Sequence, residues 1–388
     1  MHEHISRRSF VAGAALQRTF PIRRDYLAEP DAIPDFWISS LDDVARFLER
    51  RVRRGSVSAI GTSAGGRAMR AVFYGSPRQS NGTTTFSGSL GFGDVRAYVG
   101  PDHAKKVYLA MCAVHGGEFE GIVGAVNLIA VLETGRDLRG REWPEVAKIA
   151  GALDRVIVIP VTNVDGRARV PLRMIKHQGT DHTVHEYFNT GARPDGKIIG
   201  WPQCKEFIPL DFAKTQFPGG YPNDAGVNIQ HDDFFGARQP ETQALFDLAA
   251  RERPDLILNM HTGAVFLHPL RPFLEPALTA AFEEFYRRVM TRLASAGLLG
   301  TADAATQANP ARERTSAYNL DTALNLHCGA MSVTVESPSH NFSTAKKEGK
   351  PFFHTPENLL DAQLLTHLEA MKYLAETGGR NRWAVKWR

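Results

Sequence analysis

The chain has 388 residues, 43% of them hydrophobic, and a formal net charge of +4 at neutral pH. That is enough apolar material for a sizeable core, in one large α/β domain or two smaller ones. Acidic and basic side chains are interspersed, which argues against a nucleic-acid partner, and no apolar run approaches membrane-spanning length.

At the start, Ser6-Arg7-Arg8-Ser9-Phe10 ahead of an apolar run at 11–16 resembles a twin-arginine export signal. Its apolar part is shorter than the usual stretch of about 7–15 residues. Export to the periplasm and a truncated or disordered start in a cytoplasmic protein are both open, and residues 1–34 are set apart as an N-terminal extension. Residues 40–54, with Leu41, Val44, Ala45, Phe47 and Leu48 apolar, read as an amphipathic helix. Residues 57–60 and 68–74 read as strands around Gly61-Thr-Ser63-Ala-Gly65. The G-x-S-x-G pattern there is rejected as a nucleophile elbow, because the elbow needs a helix directly after the serine and residues 67–73 alternate like a strand. A hairpin is expected, followed at 76–93 by a surface loop rich in Gly, Ser, Thr and Asn.

The run from 107 to 114 is continuously apolar, the pattern of a strand buried on both faces. It stops at a polar loop that offers His115 and Glu118, with Gly116 and Gly117 allowing a sharp turn between them. Imidazole and carboxylate together suit a borderline cation such as zinc, and a catalytic zinc takes three protein ligands and leaves a fourth position for water. The third is expected at His261, because 254–263 repeats the arrangement of a short apolar strand closing on His-Thr-Gly. Loops at the carboxyl ends of parallel strands line the crevice of an open α/β sheet, so the two strand ends would be neighbours.

Residues 121–133 read as a helix and 153–162 as another buried strand, closing at Asn163-Val-Asp165-Gly166. From 177 to 222 there is little periodicity, and an irregular insertion lining the substrate entrance is expected. Its His177, His182 and His185 suggest a second metal site only remotely, and His185-Glu186 lacks the second histidine of H-E-x-x-H. Residues 241–251 and 273–299 read as helices, and 330–338 as a β-rich strand carrying Glu336. The last helix spans 355–377, with Thr355 as N-cap and Pro356 at the first helical position, and 379–388 form a basic tail. Cys112, Cys204 and Cys328 cannot all pair and lack C-x-x-C spacing, so free thiols are expected.

His115-x-x-Glu118, Asn163-Val-Asp165-Gly166, Gly226-Val-Asn-Ile-Gln230, His261-Thr-Gly263 and Glu336 in Val333-Thr-Val-Glu336 occur in the order and approximate spacing of the zinc carboxypeptidases. Over 35–373 the chain resembles that family. The resemblance implies an α/β fold with a mixed, largely parallel central sheet and helices on both faces, in one catalytic domain over 35–378. It implies one Zn2+ ion held by His115, Glu118 and His261, with Glu336 activating its water. It also implies an arginine that polarises the substrate carbonyl: Arg173 falls at the spacing of some subfamilies, with Arg167 and Arg169 as competitors. A fixed guanidinium there would stabilise the oxyanion. Tyr318 matches by position a mobile tyrosine that closes on substrate, a packed structural tyrosine being the alternative.

Asn163, Gln230 and His231 fall in the family's substrate-binding motifs. Peptide-cleaving relatives read Gly-Val-Asp-Leu-Asn-Arg where this chain has Gln230 and His231 at the last two positions, so the bidentate fork that suits a C-terminal carboxylate is missing. The expected function is zinc-dependent cleavage of an amide bond in a peptide or a small acylated amino acid. A zinc deacylase and a non-catalytic zinc-binding protein are the alternatives, with a serine hydrolase using Ser63 a distant third.

Overall fold

The computed structural model describes residues 20–79, 81–82, 84–205, 209–263, 268–270, 276–298 and 318–383. The export-like segment at 6–16 and the tail beyond 383 lie outside them. Among the described residues a seven-stranded sheet runs in the order β1-β2-β4-β3-β5-β7-β6. Its strands are β1 (Ser56–Thr62), β2 (Ala68–Gly75), β3 (Val107–Cys112), β4 (Arg155–Ile159), β5 (Leu256–Gly263), β6 (His268–Leu270) and β7 (Met331–Pro338). β4, β3, β5 and β7 pair in parallel, while β1, β2 and β6 join antiparallel at the edges. The sheet is thus mixed and largely parallel, as the resemblance implied.

The apolar run that opens the metal loop becomes β3, every residue of which is buried. Alternate side chains feed opposite cores. Tyr108, Ala110 and Cys112 meet the helices Phe119–Thr134 and Pro356–Thr377, while Val107, Leu109 and Met111 meet Pro240–Glu252 and Leu320–Cys328. Both faces therefore carry helices. Ser40 caps the helix Leu41–Arg51 by accepting from Asp43 N–H, and Thr355 caps Pro356–Thr377 by accepting from Asn358 N–H.

Residues 76–93, expected to be loop throughout, contain the helix Phe86–Gly91, and Pro144–Gly151 is a further helix that short amphipathic spacing concealed. The insertion is largely irregular, with one helix at Thr183–Asn189. What reads as a basic tail packs on the body as far as Trp383. Arg380 is buried, donating to Asp255 and to the carbonyls of Cys328, Arg253 and Pro254. No described helix is long and apolar enough to cross a membrane.

Candidate metal centre

After β3 the chain passes through Ala113 at φ 52°, a left-handed conformation uncommon for a residue with a Cβ. Two hydrogen bonds from the neighbouring loop hold it there: Thr162 N–H to Cys112 O and Asn163 N–H to Ala113 O. His115 follows. A Cβ on Gly116 would lie 2.0 Å from Arg167 N, so only glycine allows the metal loop to touch the loop after β4. Glu118 stands at the N-cap of Phe119–Thr134. Cys112 pairs with Met260 in the ladder between β3 and β5, which brings the metal loop over His261.

The three predicted ligands converge. His115 Nδ1 lies 2.9 Å from Glu118 Oε1 and 3.1 Å from His261 Nδ1, which is 3.2 Å from Glu118 Oε2. All three residues are buried, and they form the His/Glu group able to hold an ion among the described residues. A tetrahedral ion with bonds of about 2.0–2.1 Å separates its ligand atoms by about 3.3 Å, so the donors fit zinc in type and spacing. Burial pushes the Glu118 carboxyl up, but the two imidazoles outweigh it and hold it well below its usual range. Burial lowers His115, whereas at His261 the Glu118 charge overcomes burial and raises the imidazole to about 9. A positive charge is thus favoured at the spot where a cation would sit.

The surrounding hydrogen bonds aim these donors. Asn228 Oδ1 accepts Gln230 N–H at 3.1 Å while its Nδ2 donates to Cys204 O, which orients the amide. His115 Nε2 then donates to Asn228 Oδ1 at 3.2 Å, leaving the Nδ1 lone pair directed at the ion site. Glu118 Oε2 accepts Thr262 N–H, and Oε1 accepts from Asn189 Nδ2.

Glu336 stands next to this group because His261 and Glu336 are partners in the β5–β7 ladder and face the same side of the sheet. A Cβ on Gly263 would come 2.8 Å from Glu336 Oε2, so the glycine leaves room for the carboxylate. Enclosure by protein pushes Glu336 up to about 7. His261 opposes the rise and the charges of Glu118 and Asp321 add to it.

Tyr221 was not anticipated. Its ring stacks on His115 with centroids 3.6 Å apart and planes 17° apart. The end of the insertion delivers it: Gly220 O accepts Gly116 N–H, and Asn163 Nδ2 donates to the carbonyls of Gly220 and Tyr221. Burial, and then the charges of Glu118, Cys204, Glu186 and Glu336, hold the phenol well above its usual range.

Other predicted site residues have different partners. Asn163 is buried, and its amide is spent on the Gly220–Tyr221 backbone and, through Oδ1, on Gly166 N–H. Gln230 Nε2 donates to Asp321 and Thr334, and its Oε1 accepts from Asn259. Asn259 and Thr334 precede His261 and Glu336 by two residues on the same face, so Gln230 belongs to a polar floor beneath the centre. His231, on the same short turn, is buried.

No predicted arginine is brought to the group. Arg173 lies at the surface, paired with Glu29. Arg167 is buried against the carbonyls of Ser39, Val170 and Leu172, and Arg169 holds Gly219 O, Pro222 O and Asp224. Tyr318 packs on Phe234 and Phe235. Ser63 sits in the β1–β2 hairpin turn, donating to Asp165 at 2.6 Å and accepting Arg67 N–H, a structural role. His182 leans on Phe342 while His185 faces Asn189, so they do not form a second metal group. Asn228 lies within a motif that was legible. Tyr221 and Asp321 carry no local signal, because only the tertiary fold brings them to the centre.

A zinc carboxypeptidase family model matches residues 42–273, which include His115, Glu118 and His261 and end before Glu336. A search of curated proteins finds no match. Among solved structures, a putative carboxypeptidase from Burkholderia mallei aligns with 15% identity and a TM-score of 0.51, covering 86% of this chain and 68% of that one. Carboxypeptidase A from Helicoverpa armigera aligns with 13% identity and a TM-score of 0.50, covering 89% and 74%. At such identity the likeness speaks for the fold.

Proposed function

Since the chain belongs to the zinc carboxypeptidase family, we propose that it is a zinc-dependent hydrolase in which Glu336 serves as general base for cleavage of an amide or peptide bond. The observation that carries this reading is the meeting of His115 Nδ1, Glu118 and His261 Nδ1 with Glu336 in register beside His261. Zinc held by the first three residues supplies a Lewis acid for a carbonyl and makes water acidic near neutral pH. Glu336, with a pKa of about 7, takes a proton from the attacking water and returns it to the departing nitrogen. Asn228 keeps the His115 lone pair directed inward, and Tyr221 covers the face of that ring.

A second reading, a deacylase acting on a small N-acyl amino acid, is favoured by the commitment of Gln230 to the floor and by His231 at the position of the peptidases' arginine. One experiment serves both. Zinc content is measured by elemental analysis, and the loaded protein is offered dipeptides and N-acetyl amino acids with mass-spectrometric detection. Chelator-reversible hydrolysis is expected, and Glu336→Gln should retain zinc and lose turnover. A zinc-loaded Glu336→Gln protein as active as the parent would refute the role of Glu336. Preference for acetyl amino acids over dipeptides would select the deacylase.

A further inference from the structure

We infer that Tyr221 is a catalytic residue whose hydroxyl donates a hydrogen bond to the carbonyl oxygen of the scissile amide as that oxygen gains negative charge. This rests on the amide-hydrolysis reading above. Two observations carry it. The phenol ring lies flat on the imidazole of His115 with centroids 3.6 Å apart, so the phenol is in direct contact with one of the three residues of the candidate ion site. Its hydroxyl has no hydrogen-bond partner among the described residues, and the residue is half-buried.

Arg167, Arg169 and Arg173, the cations expected from sequence to face the oxyanion, are spent elsewhere. A neutral donor can take that place, and a phenol with an ordinary pKa of about 10 carries its proton at neutral pH. The position is also prepared in advance. Tyr221 N–H donates to Asn189 O at 2.9 Å, its carbonyl accepts from Asn163, and its ring is pinned by stacking, so little freedom remains to be lost on binding.

In the step itself, water gives a proton to Glu336 and its oxygen bonds to the carbonyl carbon. The carbonyl π pair moves onto oxygen, where Tyr221 donates without surrendering its proton. When that pair returns, the C–N bond breaks and the nitrogen takes the proton held by Glu336.

The test compares zinc-loaded wild type, Tyr221→Phe and Tyr221→Ala. Calorimetry with phenylphosphonate, whose oxygens present the charge of an oxyanion, is combined with turnover of N-acetylphenylalanine and hippurylphenylalanine. Tyr221→Phe keeps the stacked ring, so zinc content and melting temperature should be unchanged while phenylphosphonate binds about 10–100-fold more weakly. Where a substrate is turned over, kcat should fall by about 10²–10³ with KM little altered. Equal phenylphosphonate binding by wild type and Tyr221→Phe, no phenylphosphonate binding by wild type, or an effect seen only in Tyr221→Ala would overturn the inference. Turnover by wild type with Tyr221→Phe unimpaired removes the inference and leaves the hydrolase reading. Weaker phosphonate binding by Tyr221→Phe in a protein inert to both substrates overturns the hydrolase reading and the catalytic role with it, and leaves Tyr221 as an anion donor only.

Discussion

The start of β5 rests on a buried carboxylate between two buried guanidinium groups. Asp255 accepts from Arg78 Nη2 at 2.7 Å and from Arg380 Nε at 3.1 Å, and also takes Val107 N–H from β3. Burial lowers the pKa of Arg78; Asp255 counters the fall and Arg380 adds to it, so the carboxylate separates two like charges. Asp255→Asn keeps the shape and removes the charge, leaving two cations facing each other out of water. Breaking such an arrangement costs about 3–5 kcal/mol. For 388 residues the unfolding entropy near 60 °C is about 0.8 kcal/mol/K, so the melting temperature should fall by about 4–6 °C. Urea unfolding of the zinc-free protein provides the free energy. Adding Arg380→Met should recover part of the loss, since it removes one of the opposed cations, and the double variant should be more stable than the two single effects summed. A melting temperature within 1 °C of wild type for Asp255→Asn, or strict additivity, would refute this account.

Three further outcomes follow from the structure. His367 is buried and accordingly pushed down to about 4, below its unfolded value of about 6.5. Its contribution is complete above pH 6.5 and is lost as pH falls toward 4, about 2–3 kcal/mol by pH 4.5. His367→Gln should therefore flatten the acid limb of a urea-midpoint profile, and an unchanged limb would count against the shift. Asn228→Ala should weaken zinc about 10–100-fold in a chelator competition while Asn228→Asp retains it; indifference to both would deny the amide its role in aiming His115. Ser63→Ala should leave hydrolysis intact and destabilise the hairpin by about 1–2 kcal/mol through the lost bond to Asp165, whereas loss of activity with normal stability would revive a serine mechanism.

The parallel strands and the convergence of the candidate ligands were legible because each announced itself locally. The β3 run is apolar without interruption since both faces are covered, and His115, Glu118, His261 and Glu336 each stand at or just beyond a strand end. Thr355-Pro356 likewise marked a helix start within the span it spells. Side chains whose role depends on where an irregular segment returns were hidden. Nothing around Tyr221 indicates that Gly220 will lie against Gly116, and nothing in Arg173 indicates that Glu29 will claim it. Gln230 reads as a substrate contact until the fold sets Asn259, Asp321 and Thr334 around its amide.

His115 and His261 are separated by 146 positions in the chain, yet their nitrogens sit 3.1 Å apart. A nascent polypeptide that has released only β3 and its loop possesses two donors and no closed coordination shell. An ion held as proposed would find its third donor only after β5 has emerged and docked, so its capture is expected late in biosynthesis, as a seal on a sheet already assembled.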